Sequence, residues 1–322
     1  GERAVSDYIE RKVLPKAKNQ ITFSDLMSAY ELIKEQKNSP KTRSEADILA
    51  AEYDVLSGGA TESDEYAASA AQVPPGFEKI FESITVVDKL TVINALVGFT
   101  RVNPWDGALA AGSRLAPLSR ETKNWLPAVK LLGEGIFFRF NRAALSAWEL
   151  VSGSRYREMA SQLSESFLKN DMFSPQYVAL HTFAHLLIRQ LAEDCGYSAS
   201  SIKEKIYCTF TDEPDRPNMS GVLVYLAASD AEGSLGGLIS IAADPGRMRS
   251  VLKNMLHKAQ WCSADPLCRN STKQGFHSLN YAACHDCVLL PETSCEFRNT
   301  LLDRVAIVGT PENPSLGLMG EM

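Results

Sequence analysis

Residues 261–268 read WCSADPLC and residues 283–295 read ACHDCVLLPETSC, and these two stretches hold five of the seven cysteines of the chain. A Cys-x-x-Cys pair, here Cys284 and Cys287, can present two thiolates to one metal ion from a tight turn, and structural zinc takes four such donors in a tetrahedron. The spacing therefore predicts a structural zinc ion bound within this segment. The candidate ligands are Cys262, Cys268, Cys284, Cys287 and Cys295.

Three alternatives to zinc remain open at the level of sequence. Disulfide bonds would require an oxidising compartment, and the N-terminus shows no charged-then-apolar signal sequence. A thioredoxin-like redox pair would require its Cys-x-x-Cys at the start of a helix that follows a strand. The cysteines could also be buried without a ligand. A site closed by four thiolates leaves no position for water, so the expected metal is structural and not catalytic.

Length and composition indicate a globular protein with about two domains of ordinary size. The chain has 322 residues, of which 45% are hydrophobic and 22% charged, and no apolar run is long enough to span a membrane. The net charge of -6 argues against a histone-like binder of nucleic acid, although it leaves room for a local basic surface. We expect a cytoplasmic protein without a membrane partner. The chain begins Gly-Glu-Arg without an initiator Met, so it is expected to be part of a longer protein.

The hydrophobic pattern predicts an α+β fold with a helix-rich region over residues 1–173 and a second unit over 174–310, followed by a tail over 311–322. The second unit is expected to contain a small buried sheet and the cysteine-rich segment stapled by zinc. Helices are predicted over two N-terminal stretches that include Val5–Val13 and Phe23–Ile33, and over 45–56, 86–97, 142–150, 156–168, 174–195, 198–205 and from 245 to the cysteine segment. Strands are predicted over 125–130, 133–140, 206–211 and 221–227, the last buried on both faces, and residues 61–71 are expected to form a linker or loop.

The candidates for catalysis are weak. His181 and His185 stand one helical turn apart, but a zincin would read His-Glu-x-x-His, and Thr182 occupies the position of the general base. We therefore favour hydrogen-bonded core or interface histidines over a ligand or catalytic role. The glycines of residues 233–237 follow a predicted buried strand, as in phosphate-binding loops, but the chain has no Walker A lysine. The acidic stretch 212–215 resembles a helicase acidic box, but no phosphate-binding loop accompanies it. No His-x-Lys or Gly-x-Ser-x-Gly motif is present, so this chain alone is not expected to hydrolyse ATP or to act as an enzyme.

A local basic surface is predicted on the helix that follows Pro245. The DNA-contact candidates there are Arg247, Arg249, Lys253 and Lys258, and Arg269, Lys273, Arg298 and Arg304 lie in or beside the cysteine segment. Such cations can contact phosphates, whereas the alternative is an ordinary solvated helix face. The aromatic side chains of residues 137–140 and Trp148 could stack on bases, but in a strand pattern they are more typical of a core.

Four motifs, in this order and spacing, resemble one family. They are GEGIF at 133–137, HTFAHLL at 181–187, GSLGGL at 233–238, and ACHDC with PETSC at 283–295. Together they are similar to DrmB, component B of the bacterial DISARM anti-phage system, whose C-terminal domain resembles that of MrfA-type DNA-repair helicases, in which cysteines hold zinc. The resemblance covers most of the chain and is strongest from Gly133 to Arg304. The family also usually carries an N-terminal part with further cysteines, which is not seen in this sequence.

The resemblance implies a non-catalytic partner subunit of a DrmA-type superfamily-2 helicase, in a hetero-oligomer that binds DNA, either single-stranded or duplex with a single-stranded part. In that setting the zinc segment would brace the fold, and the basic helix would face DNA or the helicase. Two other functions stay open. One is a metal-dependent hydrolase or nuclease that uses His181, His185 and a carboxylate such as Glu193 or Asp194, with the histidines in an open pocket. The other is a structural scaffold without DNA contact.

Overall fold

A computed structural model describes residues 10–11, 22–23, 26–27, 45–100, 116–121, 123–166, 168, 173–210, 218–228 and 236–322. The helices predicted before residue 45, the acidic stretch 212–215 and the glycine loop before Gly236 lie wholly or mostly outside these residues. By the packing of its residues the chain divides into two units, Gly1–Leu49 and Ala50–Met322. The fold class is α+β, as the sequence predicts.

One antiparallel sheet contains the strands β1 to β6 of the described residues, in the order β1-β2-β3-β4-β6-β5. Their bounds are Thr61–Glu62, Tyr66–Ala71, Phe81–Ala95, Ala128–Phe140, Ile202–Thr209 and Met219–Ala228. Strands from both sides of residue 173 share this sheet. The sheet therefore combines strands from the predicted regions 1–173 and 174–310.

Eight α-helices whose bounds the structure describes are labelled α1 to α8. Their bounds are Glu45–Ser57, Arg142–Ser152, Arg157–Glu165, Pro175–Cys195, Gly237–Ala242, Pro245–Ala259, Leu267–Asn270 and Val305–Val308. A 3-10 turn at Gly153–Tyr156 joins α2 to α3, and others lie at Phe276–Ser278 and Pro314–Leu316. None of the helices that the structure describes is both long enough and apolar enough to span a membrane.

Helix α4 is the central helix, and its local sequence explains its bounds. Ser174 caps its start by accepting a hydrogen bond from the Tyr177 backbone N–H at 3.1 Å, and Pro175 occupies the first turn. Gly196 ends the helix in the left-handed conformation, with φ of 73°. Most of α4 is buried, and the ring of Phe183 packs against the phenyl rings of three residues of β3 and β4, with centroids 5.1–5.7 Å apart. The predicted helix over 174–195 is confirmed.

Three element predictions in the first half of the sheet are wrong. Residues 61–71 form β1 and β2 instead of a linker, and residues 86–97 fall largely in strand β3 instead of a helix. The run that forms β3 is rich in Val, Ile and Thr, whose branched side chains pack well on a pleated surface. The two strands predicted around Gly133 are one continuous strand, β4. At Gly133 a Cβ would lie 2.1 Å from the Leu226 carbonyl oxygen, so glycine here lets β6 approach closely and does not mark a turn.

The strand pair β5–β6 supplies the other side of the sheet. The helix predicted over 198–205 is wrong, because residues 198–201 form turns and β5 begins at Ile202. Along β5 the side chains of Ile202, Glu204 and Ile206 are all buried, as alternation on one face of a strand requires. The prediction that β6 is buried on both faces is confirmed for most of its residues. The aromatic residues 137, 138 and 140 and Trp148 are core residues, as favoured, and do not form a stacking surface.

Candidate zinc centre

Four of the five clustered cysteines converge. The Sγ atoms of Cys262, Cys268, Cys284 and Cys287 all lie within 4.8 Å of one another. Cys262 and Cys284 are 3.5 Å apart, Cys284 and Cys287 are 3.7 Å apart, and Cys268 and Cys287 are 3.8 Å apart. A tetrahedral zinc ion with Zn–S bonds of about 2.3 Å separates its sulfurs by about 3.8 Å. These distances fit four thiolates around one zinc ion and are far longer than a disulfide bond.

Two short loops present the four sulfurs. The turn after Cys284 is closed by the backbone N–H groups of Cys287 and Val288, which donate to the Cys284 carbonyl at 3.2 and 3.0 Å. Backbone N–H groups also point at the sulfurs: that of Ala264 lies 3.5 Å from Cys262 Sγ, and that of Cys284 lies 3.4 Å from Cys287 Sγ. Such N–H contacts stabilise the charge of a thiolate. Two of the four sulfurs therefore have a backbone N–H group directed at them.

Arg189 and Arg304 attach these loops to the rest of the fold. From α4, Arg189 donates to the carbonyl oxygens of residues 285, 286 and 289 at 2.8–3.3 Å, which holds the turn around Cys284 and Cys287. Arg304 is only 1% exposed and donates to Asp265 at 2.7 Å and to the Ala259 carbonyl at 3.0 Å. Arg304 was predicted to belong to the local basic surface, but its burial shows that it cannot be part of a phosphate-binding face.

The surroundings of Cys268, Cys284 and Cys287 change the pKa values of their thiols. Burial raises the pKa of Cys268 to about 11 and raises the pKa of Cys287 further. Burial also opposes ionisation of Cys284, but a hydrogen bond from the Asp286 backbone and contacts with the neighbouring thiols lower its pKa below the ordinary value. Zinc binds thiolates, so a cation in this cluster would displace the thiol protons. The residues present therefore fit a zinc ion, which would supply a structural crosslink and no chemistry.

Cys295 lies in a second cluster and not with the other four cysteines. Its Sγ is 3.2 Å from His181 Nε2, and His181 Nε2 is in turn 2.9 Å from Glu204 Oε1 and 3.1 Å from His185 Nε2. The side chains of both histidines and of Glu204 are 0% exposed. The pairing of His181 and His185 was predicted from their spacing, whereas Glu204 was missed because its strand was predicted as a helix.

The burial of this second cluster bears on the hydrolase alternative. That alternative requires both histidines in an open pocket, and neither is exposed. The carboxylates suggested for it are engaged elsewhere: Glu193 forms an ion pair with Lys258, and Asp194 accepts a hydrogen bond from Gln190 at 3.0 Å. The geometry expected of such a hydrolase is therefore not met.

The four DNA-contact candidates are all exposed on α6, but they lie along two borders of its buried face. Arg249 and Lys253 line a groove of about 930 Å³, which also contains Lys79, His257 and the carboxylates of Glu78 and Glu321. Lys258 lines a different groove, of about 530 Å³, beside the exposed Trp261. Arg247 donates to the carbonyl and hydroxyl oxygens of Ser240 at 3.3 and 3.2 Å. These residues do not form one continuous basic face.

The described end of the glycine loop holds a carboxylate of the protein itself. The backbone N–H groups of Gly236 and Leu238 donate to the buried Glu134 at 2.6 and 3.0 Å, at the start of α5. At Gly237 a Cβ would lie 2.6 Å from the hydroxyl oxygen of Tyr197. Tight packing therefore accounts for Gly237, whereas Gly236 has space for a side chain but a φ of 120°, a backbone conformation that favours glycine.

Comparison with known proteins connects this zinc centre to a described domain. Residues 183–288, about a third of the chain, match the family model MZB, the MrfA Zn-binding domain. This range contains Cys262, Cys268, Cys284 and Cys287. The family match and the geometry of the four thiols together support zinc as the cofactor and confirm that prediction.

One curated relative is similar over most of the chain. The DISARM protein DrmB of Bacillus paralicheniformis is 36% identical over 255 residues, which are 76% of this chain and 44% of that protein. The chain therefore spans less than half the length of this relative. Among solved structures, the DUF1998 helicase MrfA bound to DNA is 11% identical, with a TM-score of 0.28 over 68% of this chain and 23% of that chain. A similarity at that TM-score does not establish a shared fold.

Proposed function

We propose that the chain is a zinc-braced component of a DISARM-type anti-phage system, because it is similar to DrmB over most of its length and matches the model of the MrfA Zn-binding domain. In this proposal it has no catalysis of its own and works beside a superfamily-2 helicase on invading DNA. The observation that carries the proposal is the 36% identity to DrmB over 255 residues.

Among the described residues, the groove that contains Arg249 and Lys253 is the surface that we propose contacts DNA. Both cations are exposed, and the Nε of Arg249 donates to the Pro75 carbonyl at 3.0 Å, which fixes the direction of its side chain. The helix that carries them is capped at its start by Asp244, which accepts hydrogen bonds from the backbone of Gly246 and Arg247, and its apolar face is buried against the core. Cations held on a rigid element suit phosphate contacts, which position a protein on DNA without reading its sequence.

The first experiment tests the partnership. The chain is purified with the superfamily-2 helicase encoded beside it, and co-purification is measured together with ATP turnover. The proposal predicts a stable complex, ATP turnover that requires the helicase, and no turnover or DNA cleavage by this chain alone. ATP hydrolysis or DNA cleavage by the purified chain would contradict the non-catalytic role.

The second experiment tests the DNA contact. The double variant Arg249→Glu/Lys253→Glu is compared with Lys89→Glu/Lys130→Glu, which makes the same charge change at two exposed positions of the β3–β4 hairpin. DNA affinity of the helicase complex is measured by fluorescence anisotropy over a range of salt concentrations, on single-stranded DNA and on duplex with a single-stranded overhang.

We expect the α6 variant to weaken binding and to reduce the slope of log affinity against log salt by roughly 0.7–0.9 for each phosphate that it no longer neutralises. The hairpin variant should keep the wild-type slope. If both variants bind as the wild type does while they stay folded, this chain does not contact DNA through the groove, and the scaffold function is favoured.

A further inference from the structure

Four metal-binding side chains meet at a second place in the fold, and none of them belongs to the four-cysteine centre. His181 and His185 of α4, Glu204 of β5 and Cys295 of the C-terminal segment each bring one ligand atom within 4.8 Å of the others. We propose that these four residues bind a second zinc ion.

Hydrogen bonding alone does not satisfy the atoms of this cluster. The Nε2 of His181 has three neighbours: Glu204 Oε1 at 2.9 Å, His185 Nε2 at 3.1 Å and Cys295 Sγ at 3.2 Å. A ring nitrogen carries either one proton or one lone pair, so it can make one good hydrogen bond and not three. A cation at the centre would attract all four atoms. Tetrahedral zinc with N, O and S ligands separates them by about 3.3–3.6 Å, so the cluster would expand by only a few tenths of an ångström.

The same geometry argues against a catalytic triad. In a Cys-His-Glu triad the carboxylate binds one ring nitrogen of the histidine and the thiol binds the other. Here the carboxylate and the thiol both approach Nε2 of His181, and its Nδ1 has no hydrogen-bond partner among the described residues. The histidine therefore cannot relay a proton between Glu204 and Cys295.

The neighbours of the cluster orient its members as ligands. The Nδ1 of His185 lies 3.1 Å from the Val288 carbonyl oxygen, to which it can donate, leaving the Nε2 lone pair for a metal. The Sγ of Cys295 lies 3.3 Å from the backbone N–H of Phe297 and 3.2 Å from that of Asn299, contacts that favour a thiolate. Of the described residues, none hydrogen-bonds to Glu204 Oε2, although this oxygen is buried. A buried carboxylate oxygen without a partner is costly, and a cation would remove that cost.

The charges also balance. A zinc ion with one thiolate, one carboxylate and two neutral imidazoles forms a site with no net charge. Such a site is suited to its surroundings, because His181, His185 and Glu204 are fully buried and a net charge there would be strongly disfavoured. With four protein ligands and no exposed position the zinc would be structural. It would join α4 and β5 to the C-terminal segment. The Val288 carbonyl that His185 contacts belongs to the residue directly after Cys287, so the two centres are close in the chain.

The experiment counts zinc in the purified chain and in single variants by elemental mass spectrometry against protein concentration. The wild type should hold about two zinc ions per chain, and Cys284→Ala and Cys295→Ala about one each. The matched control is Cys195→Ala, at a half-buried cysteine of α4 that is in neither cluster, and it should keep both ions. Circular dichroism and the melting temperature check that each variant is folded.

The outcomes separate this site from the four-cysteine centre. One zinc ion in the wild type that disappears in Cys284→Ala and persists in Cys295→Ala overturns the second site and leaves the first intact. One ion that disappears only in Cys295→Ala supports the second site and overturns the first. If Cys295→Ala does not fold, X-ray absorption at the zinc edge of the wild type decides. A second site adds nitrogen and oxygen ligands to the average shell, whereas a single four-cysteine site gives sulfur alone and overturns the proposal.

Discussion

Replacing Arg304 with Met would remove a guanidinium that lies behind the four-cysteine centre. Arg304 donates to Asp265 at 2.7 Å and to the Ala259 carbonyl at 3.0 Å. Asp265 in turn accepts hydrogen bonds from the backbone N–H of Cys262 at 2.9 Å and of Arg269 at 3.1 Å. The Arg304–Asp265 pair therefore holds the segment that presents Cys262 and Cys268. The guanidinium also lies near a zinc centre whose four thiolates leave a net negative charge.

The exposure of the two side chains sets the expected size of the effect. Removing one partner of a buried ion pair costs about 3–5 kcal/mol, because the other charge stays buried without compensation. Arg304 is 1% exposed and Asp265 is 14% exposed, so we expect the lower end, about 3 kcal/mol, with the zinc bound. At about 2–4 °C for each kcal/mol, the melting temperature should fall by roughly 6–12 °C. Zinc affinity should fall about 10- to 100-fold, as for other residues that support metal ligands.

Urea unfolding in excess zinc measures the stability, and competition with a chromogenic chelator measures the zinc affinity. The matched control is Arg269→Met, because Arg269 pairs with the exposed Glu312 at 3.8 Å, and loss of such a surface pair costs about 0–1 kcal/mol. If Arg304→Met changes the unfolding free energy by no more than the control and keeps the zinc affinity, then Arg304 does not support the zinc centre.

Three further substitutions test the core and the buried polar network. Phe183→Ala should lower the unfolding free energy in urea by about 3–5 kcal/mol, because three phenyl rings lose their partner; a loss below 1 kcal/mol would contradict the central position of α4. Gly221→Ala should cost about 1–3 kcal/mol in the same assay, since the added Cβ would lie 2.5 Å from the ring of Phe137; unchanged stability would show that the ring moves aside freely. Burial, together with the carboxylate of Asp303, raises the pKa of Tyr156 well above 10. The contribution of this neutral hydroxyl to the free energy of unfolding is therefore complete below pH 10 and is lost as pH rises above that value. Tyr156→Phe should therefore show a smaller loss of stability than the wild type between neutral pH and pH 11, and parallel pH curves would refute this.

The zinc centre could be predicted from the sequence because its signal is local. The Cys-x-x-Cys spacing shows that Cys284 and Cys287 can bind the same ion, and this turn needs only four residues. Helix α4 was predicted for the same reason, since Ser174, Pro175 and Gly196 mark its ends in the sequence. In both cases the residues that gave the signal are close together in the chain.

The assignment of Cys295 could not be settled in this way. It lies eight residues after Cys287, yet its sulfur meets His181 of α4 and Glu204 of β5, about 90 or more residues earlier in the chain. Which cysteine joins which cluster depends on how the C-terminal segment packs on α4, and spacing does not report that. The alternation of Ile202, Glu204 and Ile206 was the available signal for a buried carboxylate on a strand.

Residues 86–97, most of which lie in strand β3, were predicted as a helix because their apolar residues are frequent enough to match both the helical and the strand repeat. Residues 84–87 are buried consecutively, which hides the alternation of a strand, and a shift in register between Val87 and Leu90 interrupts it again. The abundance of β-branched side chains was the better guide here.

The position of the basic residues was only partly predictable from the sequence. Their spacing placed them on one helix, but packing divides them between two grooves.

The most direct test of the four-cysteine zinc centre is an anomalous difference map, from a crystal of the zinc-loaded protein, measured on both sides of the zinc absorption edge. We predict a peak about 2.3 Å from each of the Sγ atoms of Cys262, Cys268, Cys284 and Cys287. Four sulfurs without a zinc peak between them, or a disulfide bond in that place, would contradict the account.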